Sequence, residues 1–227
     1  MISLIKILEG RFFEEDNYDT IKIEDFTVHS LKMPYTHPIL KIKTSSPKFT
    51  QRRLEKIYDT LRYIESGLKK TKLPPEWRRL EIYIEPLGAK EGITAKMKGT
   101  ERTDTKGFYL PSFDVIFINS LYAYSNVFDY RHLVSMISHE LAHRIQGKFL
   151  GENPLINTRL TNVVEQLLKR GVSGATKFLK FSSDYGIEHE EPEEFFAELV
   201  SHMITYPTDE KYKLWQKILD YILKGKK

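Results

Sequence analysis

Apolar residues recur at helical spacing through Phe49, Leu54, Ile57, Leu61, Ile64 and Leu68, and Leu73-Pro74-Pro75 must end the helix they predict. Before it, Ile21-Lys22-Ile23 and Ile39-Leu40-Lys41-Ile42 alternate or cluster apolar residues between turn formers. Residues 1–46 therefore read as a β-rich N-terminal region of undecided role, with Ser45-Ser46-Pro47 as the junction to a domain over 47–227. Leu80-Glu81-Ile82-Tyr83-Ile84 alternates as a strand, and 88–105 reads as a Gly- and Lys-bearing loop. Gly107 to Leu110 and Phe113 to Asn119 follow as short strands, either a hairpin or consecutive edges of one sheet. The chain then turns helical. A helix capped by Asp129 is expected to reach about Gly147, followed by Leu155 to Lys169, Gly174 to Phe181, Pro192 to Thr205 and Asp209 to Leu223. A helix, a small mixed sheet and then several helices make an α+β fold.

The 227 residues suffice for a core without disulfides, and 41% hydrophobic with 29% charged residues suits a globular chain. There is no cysteine, which excludes disulfide scaffolds, thiolate metal sites and cysteine nucleophiles together. A transition metal would have to sit on His, Asp or Glu. The 35 basic and 31 acidic residues leave a net charge of +4, too mild to imply a nucleic-acid partner. The stretch from Lys48 to Arg79 has ten basic and four acidic residues, and reads as a solvated helix face rather than a nucleic-acid surface. Lysine and glutamate dominate the charge while Gln and Asn are scarce, a composition that leans toward a thermophilic source. No apolar run has the length of a membrane span, and Met1 to Gly10 lacks a cleavage site, so a cytoplasmic location is expected.

Chemistry concentrates in His139-Glu140-Leu141-Ala142-His143. Histidines at i and i+4 share one helix face, so both imidazoles can reach one zinc ion at ~2.0–2.1 Å. Glu140 is then placed to act as general base toward a water activated by the metal. Met136-Ile137 and Leu141-Ala142 mark the helix as buried, and Arg144 is the atypical residue within it. A catalytic zinc needs a third protein ligand and an open position. A nearby third histidine would require glycine at 146 and histidine at 149, where the chain has Gln146 and Phe149. A glutamate on a later helix is the other solution. Glu194 and Glu198 lie one turn apart in Glu193-Glu194-Phe195-Phe196-Ala197-Glu198, with Glu194 as expected ligand and Glu198 accepting the Nδ1–H of a ligand histidine. Glu190, Glu191, Glu193 and Glu198 compete for the ligand role.

The pair His139-Glu140-Leu141-Ala142-His143 and Glu194-Phe195-Phe196-Ala197-Glu198, with Tyr185-Gly186 before it, resembles the lethal-factor-like zinc metallopeptidases, over roughly residues 105 to 205. The resemblance implies a zincin-like fold, one Zn2+ per chain and hydrolysis of peptide bonds in a protein or peptide substrate. It also implies that Tyr185 stabilises the oxyanion, which a phenol can do by hydrogen bonding. Zincins usually present an edge strand to an extended substrate, and Gly107-Phe108-Tyr109 is the candidate here, with an ordinary internal strand as the alternative.

Two rival functions remain at this stage. Phe196-Ala197-Glu198-Leu199 is also similar to repressor-cleaving peptidases found beside mobile elements, which implies a narrow-specificity regulatory peptidase. The other is a non-catalytic zincin-like binding module that docks through the basic 48–79 segment.

Overall fold

A computed structural model describes residues 27–32, 39–44, 51–73, 80–85, 107–111, 114–119, 130–151, 153–170 and 191–224. The expected strand at Ile21-Lys22-Ile23, the loop over 88–105, the Asp129 cap and the helix from Gly174 to Phe181 lie outside the described residues. The architecture is α+β, with the helices in the majority.

Five strands, β1 (Thr27–Lys32), β2 (Ile39–Thr44), β3 (Glu81–Glu85), β4 (Gly107–Leu110) and β5 (Val115–Asn119), form one mixed sheet in the order β1-β2-β3-β5-β4. The outer pairs β1–β2 and β4–β5 are antiparallel, while β2–β3 and β3–β5 are parallel. A parallel pair needs a crossover, and helix α1 (Gln51–Lys70) supplies it between β2 and β3. The β-rich N-terminal stretch thus contributes two strands to the same sheet as the following domain. β1 has no apolar signature of its own. Its sequence Thr-Val-His-Ser-Leu-Lys has four polar residues of six, as a strand that is at the edge among the described strands allows. β5, in contrast, is buried at all five positions.

Pro111 and Asp114 belong to the β4–β5 turn, in which the Asp114 N–H bonds the Pro111 carbonyl. Asp114 has a φ of 57°, a left-handed conformation that Asp tolerates better than most residues. Alternate residues of β4 face opposite ways. Phe108 stacks on Phe117 at 4.8 Å between centroids, and Phe117 meets Tyr83 at 5.1 Å, forming an aromatic row across three strands. The opposite face receives helix α2 (Tyr130–Ile145).

Helix α2 packs most extensively against α4 (Pro192–Thr205). Small residues permit this closeness. The Ser135 and Ser201 hydroxyls lie 3.0 Å apart, and Ser201 also donates to the Ser135 carbonyl at 2.8 Å. Helix α1 crosses α4 at Gly67, where a Cβ would stand 2.9 Å from Ile204 Cγ2. Helix α3 (Pro154–Lys169) is capped by Asn153, whose Oδ1 accepts from the Leu155 N–H at 3.1 Å. Helix α5 (Tyr212–Ile222) closes the core with Trp215, Leu219 and Ile222.

The end of α2 differs from the sequence expectation. Gly147 does not stop it. The helical path widens into a π-turn over Gln146–Leu150, closed by the Gly151 N–H on the Gln146 carbonyl at 2.6 Å. Gly147 therefore never enters the left-handed conformation that makes glycine a helix terminator.

His202 on α4 is structural. Its ring lies 4.8 Å from that of Tyr206 and 4.5 Å from that of Trp215. Burial pushes the imidazole down to about 4; Asp209 opposes this and Lys211 reinforces it. An unfolded histidine titrates near 6.5, so between these values the unfolded chain binds more protons and is favoured as pH falls. Stability supplied by neutral His202 is present above about pH 6.5 and lost toward pH 4. Urea unfolding at pH 7 and pH 4.5 is expected to show a smaller pH-dependent loss in His202→Phe than in the wild type.

Candidate metal centre

Helices α2 and α4 build the centre together. His143 meets Glu194 at one end of the pair and Ser135 meets Ser201 at the other, so the helices run antiparallel. Glu194 sits in the first turn of α4 behind Pro192, where the helix dipole favours a carboxylate. His139 and His143 lie one turn apart on α2 and aim their Nε2 atoms at the same place, 3.1 Å from each other. Glu194 completes the group, with Oε2 3.3 Å from His139 Nε2 and Oε1 3.4 Å from His143 Nε2.

These three side chains could hold a metal ion. A tetrahedron with metal–ligand bonds of ~2.0–2.1 Å has edges of about 3.3–3.4 Å. The two imidazole nitrogens, 3.1 Å apart, match one edge of such a tetrahedron within a few tenths of an ångström, and each lies 3.3–3.4 Å from a different oxygen of Glu194. Two imidazoles and one carboxylate suit a first-row transition metal better than magnesium or calcium, which prefer all-oxygen shells. Of the competing glutamates, Glu191 and Glu193 are exposed, Glu198 lies one turn deeper, and Glu190 is outside the described residues.

The Glu194 carboxylate and the two imidazoles hold one another. Hydrogen bonds from His139 and His143 keep the Glu194 carboxyl far below its ordinary value. Burial alone would lower His139; the Glu194 hydrogen bond and the charges of Glu140, Glu194 and Glu198 outweigh it and raise the ring. Glu198 is 4% exposed and acts on His139 through its charge.

Glu140 projects toward the sheet. It is 8% exposed, and its carboxylate accepts the backbone N–H of Tyr109 on β4. Burial pushes its carboxyl up, and the nearby His139 and His143 oppose this. The contact requires close approach of helix and strand, which explains Gly107. A Cβ there would meet the Phe117 carbonyl at 2.9 Å, Met136 Cγ at 3.5 Å and Glu140 Cγ at 3.6 Å. Its openness serves α2 within the fold.

Of the three strand residues singled out from sequence, Gly107 packs under α2 and Phe108 stacks inward on Phe117. The Tyr109 hydroxyl donates to Asp114 at 3.2 Å. Among the described strands β4 is terminal in the sheet, so what it has to offer a ligand is backbone. Tyr185 lies outside the described residues.

Sequence reading found Arg144 atypical but missed its role. Arg144 is 0% exposed, and its guanidinium forks onto Asp114, Nε to Oδ1 at 2.5 Å and Nη2 to Oδ2 at 2.9 Å. Lys148 also donates to Asp114. Burial alone would raise the Asp114 carboxyl; the bonds from Arg144 and Lys148 prevail and hold it below its ordinary value. Burial, with the adjacent Asp114, pushes the Tyr109 phenol up to about 12, so it remains a donor. This network ties the segment after His143 to the strand whose N–H holds Glu140.

Compared with models of known protein families and with curated proteins, the chain matches none.

Proposed function

We propose that the chain is a zinc-dependent endopeptidase in which His139, His143 and Glu194 hold the ion and Glu140 moves protons. The observation that carries this reading is the pair of imidazole nitrogens 3.1 Å apart, each facing one oxygen of Glu194 at 3.3–3.4 Å, with a separate buried glutamate, Glu140, whose charge interacts with all three residues. A zinc ion bound there supplies Lewis acidity and lowers the pKa of water to about 7.

Glu140 takes the proton of the attacking water and returns it to the leaving amine. Burial raises its carboxyl, which suits a group that must give back what it takes. The Tyr109 N–H holds the carboxylate in place during both transfers. Glu198, buried and acting on His139, orients that ring. The β4 edge offers backbone groups to an extended peptide beside the centre.

Metal analysis of the full chain tests the reading. The wild type is expected to carry one zinc per chain, and His139→Ala and Glu194→Ala far less. A chelator is expected to abolish peptide hydrolysis, and added zinc to restore it. Bound iron would redirect the reading toward oxidative chemistry, since two histidines and one carboxylate also suit non-haem iron. A zinc-loaded chain that cuts neither casein nor a peptide library would leave a binding module.

A further inference from the structure

The π-turn after α2 begins at Gln146, three residues beyond His143. Such turns are rare and recur at functional sites. The Gln146 side chain is 5% exposed, yet its Oε1 has no hydrogen-bond partner. Buried carboxamides are almost always paired, because an unpaired one keeps the cost of leaving water without compensation. Gln146 lines a cleft of about 480 Å³ together with Asn157 and Thr161 of α3 and Glu191, Glu193 and Glu194 at the start of α4. Because Glu194 belongs to both, the cleft adjoins the metal centre.

The lining chemistry selects the occupant. Among the described residues that line it, the charged groups are all carboxylates. An anion would be repelled. An apolar group would leave the Gln146 amide unpaired and desolvate the carboxylates beside it. A cation with several N–H donors satisfies both, since the unpaired Gln146 Oε1 is an acceptor, as the carboxylates are.

We infer that this cleft is a subsite for a cationic side chain, an arginine or lysine, whose head donates to the Gln146 carboxamide and to the carboxylates of Glu191 and Glu193. That the cation belongs to a peptide being cut rests on the peptidase reading; the cation site itself does not.

Calorimetric titration of the full chain with N-acetyl-arginine amide, against the neutral isostere N-acetyl-citrulline amide, tests the site without requiring hydrolysis. The arginine probe is expected to bind at least tenfold more tightly. Gln146→Leu and the double variant Glu191→Gln/Glu193→Gln are each expected to erase most of that difference. Glu191 and Glu193 are exposed, so the double variant keeps the test valid should Gln146→Leu fold poorly. Equal affinity for the two probes, no binding of either, or an unaltered preference in the double variant overturns the inference. Digestion of a random peptide library by the zinc-loaded chain separates the two ideas. Cuts at a fixed distance from Arg or Lys support both. Selective probe binding without any cleavage keeps the cation site and rejects the peptidase, and cleavage without basic preference or probe binding does the reverse.

Discussion

Glu140→Ala is expected to retain one zinc per chain and to hydrolyse peptides about 10²–10⁴-fold more slowly than the wild type, the usual contribution of a positioned acid–base group. The separation of the two effects follows from the geometry. His139, His143 and Glu194 make up the group that could hold a metal without Glu140, whose carboxylate turns to the Tyr109 N–H instead. Glu140→Gln refines the test. It keeps the side-chain volume and an acceptor for Tyr109 but cannot take a proton, so a loss as large as that of alanine assigns the effect to proton transfer. Metal content by mass spectrometry and kcat from a fluorogenic peptide give the two readouts. Unchanged kcat with zinc bound would remove Glu140 from the mechanism, and loss of zinc would make it a ligand.

Asp114→Ala is expected to destabilise the fold by ~3–5 kcal/mol, the cost typical of removing one partner from a buried ion pair. The mutation removes the carboxylate to which the Arg144 guanidinium, which has no exposure, donates twice. It also takes the acceptor from Tyr109 and Lys148, and places alanine at a φ of 57°. For a chain of this size each kcal/mol lowers the melting temperature by about 2–4 °C. Asp114→Asn keeps one oxygen for Arg144 and a residue that tolerates the left-handed backbone, so a smaller loss is expected. Urea unfolding measures both. A loss below about 1 kcal/mol in Asp114→Ala would show that Arg144 finds another partner or water.

The local pattern carried a large part of this protein. The periodicity from Ile57 to Leu68 corresponds to α1, and Pro192 to Thr205 corresponds to α4 residue for residue. The tight Pro111 to Asp114 connection joins an antiparallel hairpin, one of the two arrangements its spacing allowed. Strand β1 was missed because an edge strand needs only one apolar side, and a mostly polar stretch looks like loop until its partner is known.

By itself, the sequence determined what repeats within a turn or a pleat. It placed His139 and His143 on one helix face, and Glu194 and Glu198 on another, because a helix returns to the same side every 3.6 residues. It could not choose among five glutamates, since that choice depends on how α4 lies against α2, more than fifty residues earlier. Nor could it explain Arg144, whose partner is thirty residues away across the sheet. The same holds for Gln146, whose isolation exists only once α3 and α4 enclose a cleft beside it. Intervals of three or four residues are set by backbone geometry; pairings across the fold are set by packing, which the chain reveals only when closed.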